Sequence, residues 1–315
     1  MNGPDLFSPI EPYAQGMLDV GDGHSVYWEV SGNPAGIPVA FVHGGPGAGT
    51  QPAFRRFFDP RIWKIVLFDQ RGCGNSRPLA RIEHNTTQHL IADMEAIRAM
   101  LKIDKWLLFG GSWGSTLALA YGEAHPARVL GFVLRGVFLF RPWEVDWFMS
   151  GMGHFFPETW ARFHEFLPES ERRDPLAAYY ARLTSDDPKV HMPAAQVWCA
   201  YEEGCARLVP RGTFNDMASR GSLAMARVEC HYMVHDGFFR PNQLLDDLHL
   251  VSHLPCAIVQ GRYDVICPPK TADELARSWP GSQLGIIPEA GHSALEPGTR
   301  QALVAAVEDV RLQIA

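Results

Sequence analysis

Cysteine is scarce and unpatterned in this chain. The six thiols at positions 73, 199, 205, 230, 256 and 267 contain no C-x-x-C pair, so neither a zinc site nor a disulfide framework is indicated. No H-E-x-x-H or comparable metal-ligand spacing occurs, and no cofactor is implied. Positive charge is in deficit as well: 28 Lys and Arg stand against 35 Asp and Glu, a formal net charge of −7. A nucleic-acid partner therefore has no electrostatic support. No apolar run approaches the ~18 residues that a membrane span needs. The opening Met1 to Phe7 lacks a basic stretch followed by an apolar one, so no secretory leader is expected. Internal repeats and low-complexity segments are also missing. The rest is 46% hydrophobic and 20% charged over 315 residues, ordinary for a globular chain of one or two domains with a sizeable core. The expected setting is the reducing cytoplasm.

Short apolar runs alternate with helical periodicity in two blocks of the sequence. Tyr27 to Val30 follows the turn signal Gly21-Asp22-Gly23, suggesting strands at a sheet edge. Val39 to Val42 and Lys64 to Phe68 read as buried strands. Residues 86–101 read as a helix, capped by Thr86 or Thr87, with Leu90, Ile91, Met94, Ile97 and Leu101 at helical spacing. Leu107 to Phe109 and Val129 to Leu134 are further buried strands. The rhythm stops between about 138 and 245, a stretch expected to be helical in pieces at 159–168, 194–207 and 222–235. It returns with a strand at Cys256 to Val259, a helix near 270–278, a strand at Gln283 to Ile287 and a closing helix from about 297. Such alternation implies a mostly parallel sheet covered by helices on both faces. The expected domains are residues 1–137 with 246–315, interrupted by a helical insertion at 138–245.

Gly110-Gly111-Ser112-Trp113-Gly114 lies where a buried strand meets an Ala- and Leu-rich helix. This is the strand–turn–helix context of a nucleophile elbow, in which a strained turn exposes a serine above a helix N-terminus. A serine hydroxyl needs a base to take its proton and a carboxylate to orient that base. On α/β-hydrolase sheets these follow in the order Ser, acid, His. Of thirteen histidines only His292 lies beyond residue 264, and Asp264 follows the strand at 256–259, at the edge where such sheets bind ligands. The glycine-rich His43-Gly44-Gly45-Pro46-Gly47 lets backbone approach closely. The N–H groups of Gly45 and Trp113 are the expected oxyanion donors. The same loop lacks the Gly-Lys-Ser/Thr ending of a phosphate cradle.

Four blocks carry a resemblance: His43 to Gly47, Asp69-Gln70-Arg71-Gly72-Cys73-Gly74-Asn75-Ser76-Arg77-Pro78, Gly110 to Leu119, and Gly261-Arg262-Tyr263-Asp264. With them the chain resembles the prolyl aminopeptidases (proline iminopeptidases), serine peptidases of the α/β-hydrolase fold, from Pro12 to the final helix. The resemblance implies that Ser112, Asp264 and His292 form the triad, and that the insertion is a cap over the active site. It further implies that glutamates in Trp198-Cys199-Ala200-Tyr201-Glu202 and Ala226-Arg227-Val228-Glu229 hold the substrate's N-terminal ammonium. Phe138 and Cys267 would border a pocket for the proline ring. The chain departs from the family pattern at Tyr201, around Met149 to His154, and at Cys230, all within the insertion.

The expectation is a serine exopeptidase acting through an acyl-enzyme on small peptides with a free N-terminus, preferentially at proline. The alternatives are an esterase, lactonase or amino-acid amidase on the same scaffold, or a non-catalytic binding protein of that fold.

Overall fold

The computed structural model describes residues 5–218 and 222–314. Residues 1–4, part of the stretch read above for a leader, lie outside it. Eight strands form one sheet: β1 (Ala14–Asp19), β2 (Ser25–Gly32), β3 (Ile37–Val42), β4 (Trp63–Phe68), β5 (Trp106–Ser112), β6 (Val129–Val137), β7 (Cys256–Gly261) and β8 (Gln283–Ile287). The spatial order is β1-β2-β4-β3-β5-β6-β7-β8. β1 and β2 run antiparallel at one edge, and the remaining six strands are parallel.

Strand periodicity divides the core. Ala40, Val42, Val66, Phe68, Leu108, Leu134 and Ile258 face one side of the sheet, and their neighbours Val39, Phe41, Ile65, Leu67, Leu107, Phe109 and Val259 face the other. The first side is covered by α1 (Thr87–Met100), α2 (Trp113–Ala124) and, beyond the insertion, α10 (Pro269–Ser278). The second is covered by α11 (Pro297–Ile314) through Leu303, Val304, Val307 and Val310. Thr86 is the N-cap of α1, its hydroxyl accepting from His89 N.

Between β6 and β7 the described residues form no strand. They build α3 (Pro142–Met149), α4 (Pro157–Glu165), α5 (Pro175–Leu183), α6 (Pro188–Cys205), α7 (Phe214–Ala218), α8 (Leu223–Val234) and α9 (Gln243–Asp246). The expected helices at 159–168 and 222–235 correspond to α4 and α8. The one expected at 194–207 begins earlier, at Pro188, and runs through Pro193. Asp187 caps it by accepting from Lys189 N, and Pro193, inside the helix, leaves one of its backbone hydrogen bonds unmade. Four further helices, α3, α5, α7 and α9, were not expected. α3 starts at Pro142 with Glu144 closing a capping box, and α5 starts at Pro175 behind the N-cap Asp174. The rings of Phe148, Phe163, Tyr179, Trp198 and Tyr232 pack in one apolar cluster continuous with that under α1 and α2. α9, which straddles residue 245, packs against α2 rather than against the other inserted helices.

No helix among the described residues is long and apolar enough to cross a membrane. The parallel strands all end on one side, so the segments after β3, β5, β6, β7 and β8 converge there. At the centre of that edge a Cβ on Gly114 would lie 2.1 Å from Val42 O, and one on Gly110 would lie 2.2 Å from Gly114 O. Both contacts are with backbone, which cannot step aside. Gly114→Ala should therefore destabilise the fold by about 3 kcal/mol or more. Gly285→Ala, whose Cβ would meet nothing closer than Ile258 O at 3.8 Å, should be neutral. Thermal denaturation of the two variants side by side checks the contrast.

Candidate active site

Ser112 closes β5 with φ 57° and ψ −131°, left-handed backbone that a non-glycine residue holds at a cost of about 1–3 kcal/mol. Surrounding contacts impose it. Ser115 Oγ donates to Ser112 O at 2.7 Å, Phe138 N donates to Ser115 Oγ at 3.2 Å, and Thr116 Oγ1 donates to Phe138 O at 2.6 Å. The Ser-Thr half of the elbow thus ties the turn to the end of β6. Ser112 occupies the N-cap position of α2, yet its hydroxyl caps nothing. It lies within hydrogen-bonding reach of the Cys267 thiol, which burial pushes well above the usual thiol range.

Asp264 and His292 meet as the sequence suggested. His292 Nδ1 stands 2.8 and 3.0 Å from the two oxygens of Asp264, which is 3% exposed. The carboxylate also accepts from Cys267 N at 2.9 Å and from Gln260 Nε2 at 3.1 Å. An acceptor so placed keeps a proton on Nδ1 and leaves Nε2 as the basic nitrogen. At rest that lone pair accepts from Arg135 Nη1 at 3.0 Å, and the same nitrogen donates to His292 O at 2.8 Å. The Ser112–His292 bond is therefore not made in this conformation, and the two side chains share a cavity instead.

That cavity, of about 440 Å³, is lined among others by His43, Gly44, Gly45, Ser112, Arg135, Glu202 and His292. Trp113, Phe138, Glu229 and Cys267 are not among its lining residues. Gly44 needs to be glycine, since a Cβ there would sit 3.1 Å from Gly111 O and 3.4 Å from Ser112 Cβ. Trp113 opens α2, so its N–H is one of the first-turn donors without a helical partner. Gln70 holds the two sides of this gap together: its Nε2 donates to His43 O at 2.8 Å and its Oε1 accepts from Trp113 Nε1 at 2.8 Å.

The two glutamates come from different helices. Trp198 and Glu202 are one turn apart on α6, and Trp198 Nε1 donates to Glu229 Oε2 on α8 at 2.6 Å. Burial pushes the Glu202 carboxyl up to about 7, with the charge of Glu203 adding to the shift and Arg135 opposing it. Glu229, 3% exposed, is pushed well above the usual range by burial and then by the charge of Glu202. Burial and neighbouring negative charge thus raise both carboxyls, while the Trp198 indole donates to Glu229 and the Arg135 charge opposes the shift of Glu202.

The comparisons with known proteins agree on what this arrangement belongs to. Residues 37–299 match the family model of the alpha/beta hydrolase fold. A proline iminopeptidase of Arabidopsis thaliana is 50% identical over 99% of this chain and 83% of its own length. One from Neisseria gonorrhoeae is 46% identical over 97% of this chain and 98% of its own. The chain belongs to the proline iminopeptidase family. Solved structures share the fold at lower identity. A proline iminopeptidase of Mycobacterium smegmatis has a TM-score of 0.61 at 19% identity, covering 96% of this chain and all of that one (100%). An esterase of a Rhodococcus species has a TM-score of 0.61 at 20% identity, covering 95% of this chain and 98% of its own.

Within the family fold, the residues that the sequence did not single out are Arg135 and Gln70. Gln70 sits in the resemblance block without an individual role. Arg135 had a visible signal, a charge within the apolar run of a buried parallel strand. A third group, Asp22, His84 and His89, brings ligand-type atoms within 4.8 Å of one another. Arg71 Nη1 stands 3.5 Å from Asp22 Oδ2, so one of the three already faces a fixed cation. No metal is assigned there.

The raised carboxyls carry a stability consequence of definite sign. Glu202 titrates at 4.5 when unfolded and about 7 when folded, so its contribution is fully present below about 4.5 and is lost as the pH rises through 7. Glu202→Gln, which is never charged, should melt higher than the unmodified protein at pH 8 and show little gain at pH 5. Melting curves at the two values test this, and an equal gap at both would mean that carboxylate burial is not the cause.

Proposed function

We propose that this protein is a serine exopeptidase that removes an N-terminal residue, preferentially proline, from short peptides with a free N-terminus. The observation that carries the reading is the pair of desolvated carboxyls, Glu202 and Glu229, beside a serine in elbow geometry and a histidine paired to a carboxylate. A substrate ammonium supplies the charge the glutamates lack, and one residue of peptide then spans from that anchor to Ser112. Iminopeptidase relatives of 46–50% identity over nearly the whole chain point the same way.

In the mechanism, the Ser112 hydroxyl turns from Cys267 to His292 Nε2, and Arg135 gives up that nitrogen. Ser112 Oγ attacks the scissile carbonyl as its proton passes to Nε2. The N–H groups of Gly45 and Trp113 hold the developing oxyanion, each worth about 10²–10³ in rate. His292 returns the proton to the leaving amine, Asp264 orients the imidazolium, and water resolves the acyl-enzyme by the same path. The family resemblance assigns Phe138 and Cys267, which do not line the cavity in this conformation, to the proline ring, and the helices of residues 138–245 act as a cap that closes the far end of the site. The six unpaired thiols fit a reducing compartment, the cytoplasm.

Two measurements test the reading. Ser112→Ala should lose nearly all turnover of a prolyl anilide while melting normally, and retained turnover would overturn the mechanism. Glu202→Gln and Glu229→Gln should each lower kcat/KM on the prolyl anilide at least about tenfold more than on an ester without an amine. Equal losses on both substrates would remove the ammonium role, and faster ester than anilide hydrolysis by the unmodified protein would favour an esterase.

A further inference from the structure

Glu296 belongs to none of the roles above, yet its carboxylate lies between two segments that matter to all of them. It is 8% exposed and directly precedes α11, where Arg300 N donates to its carbonyl at 3.0 Å. Its backbone is therefore fixed to a helix packed on the sheet. One carboxylate oxygen accepts from Gly291 N at 2.8 Å, in the loop that carries His292. The other accepts from Leu208 N at 3.0 Å, in the segment that leaves α6 just beyond Glu202. Ser293 N adds a direct bond to Ala206 O at 2.8 Å. The two segments touch through their backbones, since a Cβ on Gly291 would lie 2.7 Å from Leu208 N and 3.0 Å from Arg207 C.

We infer that Glu296 is a positioning residue that clamps the end of α6 to the histidine loop, and so sets how far the amine anchor Glu202 stands from Ser112 and His292. The inference rests on the proposed exopeptidase reading for what that distance does, but not for the clamp itself. The two sides of the clamp are unequally supported. The histidine loop is held independently by Asp264 on Nδ1 and by Arg135 on His292 O. Among the described residues, segment 206–208 meets the histidine loop through Ala206 O, which accepts from Ser293 N, and is tied to Glu296 through the Leu208 N–H. Loss of the carboxylate therefore frees the anchor side more than the base. The register of the substrate amine should suffer before proton transfer does.

Glu296→Gln keeps the size and one acceptor oxygen, but turns an NH₂ group toward one of two N–H donors. The expected result is a KM for a prolyl anilide raised about tenfold, with ester kcat/KM held within about twofold. Glu296→Asp, a carboxylate one methylene shorter, should recover part of the difference. Hydrogen–deuterium exchange of the full-length protein reads the clamp without any substrate: in Glu296→Gln, residues 206–208 should exchange faster than in the unmodified protein, and faster than the histidine loop. Unchanged exchange in 206–208 overturns the clamp whatever the activity. Equal losses on anilide and ester, with faster exchange throughout the protein, overturn it as well by showing a general structural role. Failure of the unmodified protein to cleave the prolyl anilide counts against the exopeptidase reading alone, and the exchange result still decides the clamp.

Discussion

Everything at the site depends on how closely three backbones meet at the carboxyl edge of the sheet. β5 must turn into α2 within one residue, and α2 must then pass beside the end of β3. The gaps are so small that Gly110 and Gly114 leave no room for a methyl group. This proximity forces Ser112 into its left-handed conformation, and in doing so aims the hydroxyl away from its own helix and into the cavity. A looser junction would relieve Ser112 and lose the direction of its hydroxyl. Strain at Ser112 and the absence of side chains at the flanking glycines are two aspects of one packing constraint.

The side chains around this junction convert it from a local turn into a fixed frame. Gln70 bridges the loop after β3 and the indole of Trp113, while Ser115 and Thr116 bind the end of β6. The Trp113 ring in turn meets Tyr232 at 4.8 Å, and Tyr232 lies on α8 with Glu229. Elbow and inserted helices therefore share one aromatic core, so Glu229 is referenced to Ser112 through packed rings rather than through a flexible loop. Uniform rigidity of this kind suits an enzyme that must measure one residue from a chain end.

The legible parts of the sequence were those in which chemistry and chain order coincide. The elbow is a contiguous motif with a strand before it and a helix after it, and the scarcity of histidines beyond Asp264 left His292 as the partner. Strands announced themselves as apolar runs because parallel strands are buried on both faces. α3 and α5 were harder to see, being short and aromatic, with no long helical stripe. Their starts were nonetheless written in Arg141-Pro142-x-Glu144 and Asp174-Pro175. The start of α6 was read late, at 194 rather than Pro188, although Asp187-Pro188 carries the same cap-and-proline signal. Arg135 could not be assigned from sequence, since its meaning lies entirely in which lone pair it reaches across the sheet.

Arg135 also explains how so much buried charge can coexist. Burial lowers the guanidinium's affinity for its proton, and the Asp264 carboxylate offsets this most. Asp264 and Arg135 thus balance each other around His292, leaving Glu202 and Glu229 to share whatever protons the local desolvation demands. An entering ammonium changes that balance at one point only. On the proposed reading, it supplies the positive charge that lets the glutamates ionise, a compensation that a substrate without an ammonium cannot offer, so such a substrate binds beside carboxyls that burial holds toward their protonated form.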